Sequence, residues 1–253
     1  MSAAAPRPAA SILLLRDGSD GLEVLLARRS DHGDFPGLHV FPGGLVDAGD
    51  RDAALHVHAT LPEEAATALL PGVELPQAWL LAGIREAFEE CGVLLAGRLP
   101  PAAELREARR RLLARECGFA QLVAGAGIRP DTAALGLFSH WVTPEGIPRR
   151  YDTRFFVAAM PPGQEAAADG REAVSLDWYT PAAALAAHER GEIRLIFPTI
   201  RNLMLLGNWR DSAAVLEDCR RPRAVPVMLP RMVPGPAGVR LLLPGDAGYD
   251  DVP

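Results

Sequence analysis

Between Gln77 and Gly92 the chain sets an acidic cluster, Glu86, Glu89 and Glu90, among apolar residues at helical spacing. On a helix at ~100° per residue the three carboxylates fall within an arc of about 100°, opposite Leu80, Leu81, Ile84, Ala87, Phe88 and Cys91. Like charges three and four residues apart repel by a few tenths of a kcal/mol each. With only Arg85 beside them, the glutamates invite a further cation. Carboxylate oxygens at this spacing suit Mg²⁺ or Mn²⁺, which take hard oxygen ligands and keep waters or substrate phosphates. A solvated acidic face is the alternative for the same residues. Upstream stand Phe41-Pro42-Gly43-Gly44 and then Leu45 to Asp50, where adjacent glycines let backbone approach a metal or a phosphate without side-chain obstruction.

The elements that position these residues are legible in outline. Ser11–Leu15 and Leu22–Ala27 read as two strands joined by a Gly/Asp turn. Residues 30–49 are dense in glycine and proline, including Gly33, Pro36 and Gly37, so they read as loop with a short strand near Leu38–Phe41. Pro62–Leu70, Gln77–Gly92, Pro101–Cys117, Pro181–Arg190 and Pro198–Leu206 read as helices. Thr153–Ala159, Val174–Trp178 and Val239–Leu243 read as strands, and seven prolines fall after Arg221. Strands and helices mixed without regular alternation point to α+β or a mixed sandwich.

Together, the cluster and its approach resemble the signature of the Nudix hydrolase superfamily, Gx5Ex7REUxEExGU, where U is a bulky aliphatic residue. Gly44 matches the first glycine, Asp50 stands where the family has glutamate, Arg85 and Glu86 match RE, Glu89 and Glu90 match EE, and Gly92-Val93 close the motif. Ala87 is smaller than the usual aliphatic residue, and residues 51–84 put 34 positions where the signature has seven. That interruption resembles a branch of coenzyme A diphosphatases, as do Val24 to Ser30, Phe35 to Gly44, Trp141 to Pro144, Arg150 to Phe156 and Trp178. Of a further motif of coenzyme A Nudix enzymes, LLTxR[SA]x3Rx3Gx3FPGG, the chain keeps Leu25, Leu26, Arg29, Ser30, Gly37 and FPGG. It has Ala27 for threonine, lacks the internal arginine and is one residue short.

The resemblance implies an α+β fold, a mixed α/β/α sandwich with a helical insertion inside the box and extra helices. Its domain plan is a flexible N-terminus (1–9), a Nudix domain (10–210, insertion about 51–78) and a Pro-rich C-terminal extension (211–253), packed on the domain or partly mobile. It also implies hydrolysis of a nucleoside diphosphate linked to another group: coenzyme A or acyl-coenzyme A, giving 3′,5′-ADP and (acyl-)4′-phosphopantetheine. ADP-ribose, a dinucleotide or a sugar nucleotide is the alternative substrate, and a non-catalytic ligand-binding protein the second alternative. Carried over by position, Glu86, Glu89 and Glu90 hold Mg²⁺ or Mn²⁺ with the Gly43 carbonyl, and Arg85 fixes a glutamate's rotamer. Glu172, six residues before Trp178, resembles a metal-binding or base glutamate; a surface loop acid is its plainer reading. Among arginines that could grip phosphate, Arg29 and Arg154 are taken as substrate-binding.

Composition narrows the rest. All 26 basic residues are arginine, which excludes a Schiff-base lysine, a Walker lysine and a Ser–Lys dyad. The formal net charge of −6 gives no general pull toward nucleic acid or an anionic membrane, so neither is expected as a partner. The expected partners are a small nucleotide diphosphate and a second copy in a homodimer. Cys91, Cys117 and Cys219 are far apart and form no CxxC pair. With no signal-like start and no long apolar run, the expected location is the cytoplasm. His56-Val57-His58 has no third ligand nearby and reads as part of a surface insertion.

Overall fold

The computed structural model describes residues 4–32, 36–235 and 238–251. Phe35, part of the resemblance, and Gly33, one of the loop breakers, lie outside the described residues, as do residues 1–3 of the expected N-terminal tail.

The chain opens with β1 (Arg7–Gly18), whose middle is buried throughout and, Ser11 apart, apolar because both faces of that strand are covered. The expected flexible segment 1–9 is thus corrected: residues 7–9 begin β1, held by parallel pairing to the strand that starts at Tyr151. A turn at residues 19–20 leads into β2 (Gly21–Arg29), followed by β3 (His39–Val40) and β4 (Gly43–Leu45). Within the interruption come α1 (Ala53–His56) and α2 (Glu63–Leu69), and then the long α3 (Pro76–Cys91). Next are α4 (Ala102–Leu113), α5 (Phe119–Gly125), β5 (Gly136–Val142), β6 (Tyr151–Ala159) and β7 (Ala173–Tyr179). The chain continues through α6 (Pro181–Glu189), α7 (Phe197–Leu206), α8 (Ser212–Arg220), β8 (Val227–Met228), β9 (Arg231–Gly235) and β10 (Gly238–Leu242).

Eight strands make one mixed sheet in the order β3-β2-β1-β6-β5-β8, with β4 added to β1 and β7 to β2. Alternation along the strands divides the core. Ile12, Leu14, Phe156 and Ala158 face α3 and the helices outside it, whereas Leu13, Leu15, Phe155 and Val157 face α6, α7 and α8. This is the expected α+β, α/β/α arrangement. The interruption is a structural layer, since Leu55, Ala66, Leu69 and Leu70 enter the core beside α3. The Pro-rich end also carries structure: β8 extends the sheet next to β5, and β9 pairs with β10 as a separate hairpin.

Helix α3 is covered nearly all round, leaving only Glu86 and Glu89 partly open. Its start is set by Leu75 at φ 57 followed by Pro76, and its end by Gly92 at φ 70, the left-handed stop that glycine adopts without strain. Arg109 of α4 donates to the carbonyl of Glu89 from Nε (3.1 Å) and Nη2 (2.9 Å), satisfying a carbonyl at the negative end of the helix. The arginine-rich α4 therefore buttresses the acidic end of α3.

Candidate active site

Arg85 sits at the centre of the acidic cluster. Its Nε and Nη2 each donate to Asp50 at 2.8 Å, and Nη2 also donates to the carbonyl of Leu45 at 2.9 Å. Nη1 reaches Glu86 at 2.8 Å and Glu89 at 3.3 Å. Burial works against the charge on Arg85, but its hydrogen bonds to Asp50 and the surrounding carboxylates outweigh it and raise its pKa above the ordinary value. Asp50 is itself fully buried and accepts from the backbone of Asp47 at 3.0 Å. An aspartate in the glutamate position thus makes a complete two-point pair with the motif arginine.

Glu90, one turn after Glu86 on the same side of the helix, has different partners. Its Oε2 accepts from the Gly43 N–H at 3.1 Å, and its Oε1 pairs with Arg29 at 3.2 Å. Arg29 also reaches Glu172 at 3.1 Å, so one guanidinium joins the box to the loop before β7. The glycines make this approach possible. A Cβ on Gly43 would lie 2.5 Å from the Ala10 carbonyl oxygen, and one on Gly44 would overlap the Glu86 carboxylate. Burial, only partly countered by Arg85, pushes the Glu86 carboxyl up to about 7. Burial together with the nearby Glu86 pushes Glu90 up to about 8 against the pull of Arg29. Burial also raises Glu89, with Arg85 acting the other way.

Among the described residues no three His, Cys, Asp or Glu side chains are gathered as a metal cage. Arg85 draws Glu86 and Glu89 to itself, while Glu90 turns to Arg29 and Gly43. Gly43 joins the cluster through its N–H, which donates to Glu90. The donor set still fits a hard divalent cation. Three glutamates whose negative charge is disfavoured by burial form an under-neutralised patch, and Mg²⁺ needs only one or two carboxylates when phosphate oxygens and water complete its shell.

A cavity of about 950 Å³ lies against this patch, lined by Glu86, Glu89, Arg85, Arg29, Glu172 and Gly43. Arg154 does not reach it. On β6 the cavity takes the alternate residues Tyr151, Thr153 and Phe155, so Arg154 lies on the opposite face, paired with Asp152 and 4.3 Å above the Trp79 ring. Asp152 also accepts from His140 at 2.6 Å; burial opposes its charge, but His140 and Arg154 prevail and hold its carboxyl below the usual range. Arg154 is a structural cation, and the strand period of two is the signal that separates it from the cavity. Arg7 and Arg149, which sequence reasoning did not select, line the cavity instead. His56 is also tied more closely to the site than a surface insertion implies, since its Nε2 meets the Asp50 carbonyl at 2.8 Å. Burial pushes the Cys91 thiol far above its ordinary range, which leaves it no part as a nucleophile.

A REAFEE helix, its glycine approach and this sandwich define a hydrolase of the Nudix class. A model described as the NUDT19 Nudix domain matches residues 57–206. The acyl-coenzyme A diphosphatase NUDT19 of Gallus gallus is 32% identical, over 98% of this chain and 80% of its own length. The protein of the same name from Homo sapiens is 30% identical over 91% and 73%. Among solved structures, a NUDIX hydrolase from Alicyclobacillus acidocaldarius superposes with TM-score 0.72 at 28% identity, covering 85% of this chain and 97% of that one. The chain belongs to the NUDT19 family of Nudix hydrolases.

Proposed function

We propose that this protein hydrolyses the diphosphate of coenzyme A or acyl-coenzyme A with Mg²⁺ or Mn²⁺, releasing 3′,5′-ADP and (acyl-)4′-phosphopantetheine. The observation that carries the chemistry is the meeting of Glu86, Glu89, Arg85, Arg29 and Glu172 on one cavity wall, with Glu90 directly behind them. The choice of substrate is supported by the two relatives that bear the name acyl-coenzyme A diphosphatase.

Glu86, Glu89 and Glu90 would hold the cation, which when bound supplies neutralisation for the diphosphate and the leaving oxygen. Arg85, anchored by Asp50, orients Glu86 and Glu89 toward the cavity. Arg29 moves from the Glu90–Glu172 pair onto a phosphate oxygen when substrate enters, which frees Glu172 to take a proton from the attacking water. Glu172 suits that task because its side chain is 65% exposed and stands one guanidinium away from Glu90. The Asp50–Arg85 pair also removes the main sequence argument for a non-catalytic protein, since the substitution of aspartate for glutamate keeps the buried anchor.

The test is a panel of coenzyme A, ADP-ribose, NADH and a sugar nucleotide, each with Mg²⁺ or Mn²⁺ and with products identified by mass. A preference by kcat/KM for coenzyme A or its thioesters, yielding 3′,5′-ADP, is expected. A clear preference for any of the other three would reject the substrate while leaving the hydrolytic chemistry in place.

A further inference from the structure

The cavity changes character along its length. Its floor is laid by the paired rows Arg7 with Tyr151, Ala9 with Thr153 and Ser11 with Phe155 of β1 and β6. On the β4 side it is charged. On the β5 side it is walled by Trp141, Ile147, Phe197, Pro230 and Leu241. Trp141 meets Phe197 edge-on at 5.9 Å. Pro230 and Leu241 come from the C-terminal segment, which is fastened by the Tyr249 hydroxyl donating to the Leu229 carbonyl (2.7 Å) and by Arg231 donating to the Tyr249 carbonyl (2.6 Å). The loop carrying Ile147 rests on the same segment, because a Cβ on Gly146 would come within 3.2 Å of Met232.

Distance decides what reaches this end. From β4 to β5 the sheet crosses β1 and β6, three strand spacings of ~4.8 Å or roughly 14 Å. The pantetheine arm has twelve bonds between its phosphate ester oxygen and its sulfur, and at ~1.27 Å per bond it extends roughly 15 Å. A diphosphate held at the carboxylates therefore sets the sulfur at the start of the apolar wall.

Building on the coenzyme A reading above, we propose that this wall is an acyl-chain subsite, to which the C-terminal segment contributes Pro230 and Leu241. Its ligand is the aliphatic chain of a thioester, a group with no polar demands, for which Trp141, Ile147, Phe197, Pro230 and Leu241 offer apolar contact beside Thr143 and Arg149 of the same lining. Each methylene that leaves water there should raise kcat/KM roughly three- to fourfold.

The experiment compares coenzyme A with its acetyl, hexanoyl and decanoyl thioesters on the full chain with Mg²⁺. In the unaltered protein kcat/KM should rise with chain length. In Ile147→Asp and Leu241→Asp the ratio of decanoyl-coenzyme A to coenzyme A should fall at least tenfold. Ile147 is 37% exposed on a loop, so its substitution leaves the fold intact; Leu241→Ala replaces Leu241→Asp if thermal unfolding shows the latter to be damaged. An unchanged ratio in folded variants overturns the subsite. So does an unchanged ratio accompanied by weaker inhibition by 3′,5′-ADP, which would put the nucleotide on this wall. If the unaltered protein acts on neither coenzyme A nor its thioesters but hydrolyses ADP-ribose or NADH, the substrate reading itself falls and the subsite with it.

Discussion

Asp50→Asn isolates the anchor of the site. The replacement preserves shape and removes one negative charge from a fully buried position. Arg85 now offers two donors, at 2.8 Å each, to a side chain that has one acceptor and one NH₂ group, so one pairing turns repulsive. Removing one partner of a buried ion pair costs ~3–5 kcal/mol. Arg85 retains Glu86 at 2.8 Å and the Leu45 carbonyl at 2.9 Å, which places the loss at the lower end, about 3 kcal/mol. For a chain of this size each kcal/mol shifts Tm by ~2–4 °C, so calorimetry should find it about 6–12 °C lower. Arg85 also orders Glu86 and Glu89, and losing such a support typically lowers activity ~10–100-fold. The loss should fall on kcat, since Asp50 does not line the cavity. An Asp50→Asn protein with unaltered Tm and kcat would refute the anchoring role. A lowered Tm with unaltered kcat would confine Asp50 to stability and detach Arg85 from the carboxylates' work.

Glu90→Gln should stay folded, because an amide oxygen can still accept from Gly43, yet lose about 100-fold or more in kcat with Mg²⁺; full activity in the folded variant would remove Glu90 from the site. In metal-stripped protein the carboxyls of Glu86 and Glu90, pushed up to about 7 and about 8, bind protons more tightly folded than unfolded. Their contribution to stability is therefore complete below the ordinary glutamate range near ~4.3 and is lost as pH rises through 7 and 8. Tm in EDTA should fall between pH 5 and pH 8.5 and Mg²⁺ should abolish most of that fall; a Tm that rises over the same interval in EDTA contradicts it. His58→Ala should be silent, whereas His56→Ala should cost about 1 kcal/mol through the Asp50 carbonyl without loss of bound metal, as unfolding and metal titration would show.

The acidic helix was legible because a period of 3.6 and the residues that cap it, Pro76 and Gly92, both act locally. The same holds for β2 and for the helices near residues 181–190 and 198–206. What escaped the sequence depends on partners far along the chain. Strand β1 begins at Arg7 because β6 pairs with it, and nothing in Arg7-Pro8 announces that. Strand β5 and helices α5 and α8 were not foreseen either; β5 gains its place from pairing with β6 and β8. Arg154 was misplaced because a cation's type tells nothing of its face, and the faces of β6 are set by which rows α3 and α7 cover. Arg109 lies in the helix expected over Pro101–Cys117, but nothing local announces that it turns inward to the end of α3.

The interruption of the box raises the question of why its two halves still meet. Lengthening the connection from seven residues to 34 is a little over two doublings, and at ~0.6 kcal/mol per doubling the added closure entropy is about 1.4 kcal/mol. Burying Leu55, Leu69 and Leu70 beside α3 stabilises by ~1.5–3 kcal/mol for each side chain, which exceeds that closure term several times over before the ordering of the segment is counted. The inserted segment is also tied to the frame by hydrogen bonds near its start. His56 meets the Asp50 carbonyl, and the Leu61 N–H donates to the Thr132 hydroxyl at 2.9 Å. Asp50 and Arg85 are thus joined through a packed layer rather than by a slack loop. A buried ion pair needs surroundings that hold both charges in register. The helices of the interruption supply them, so the inserted residues support the carboxylate geometry from behind while leaving Glu86 and Glu89 open to the cavity.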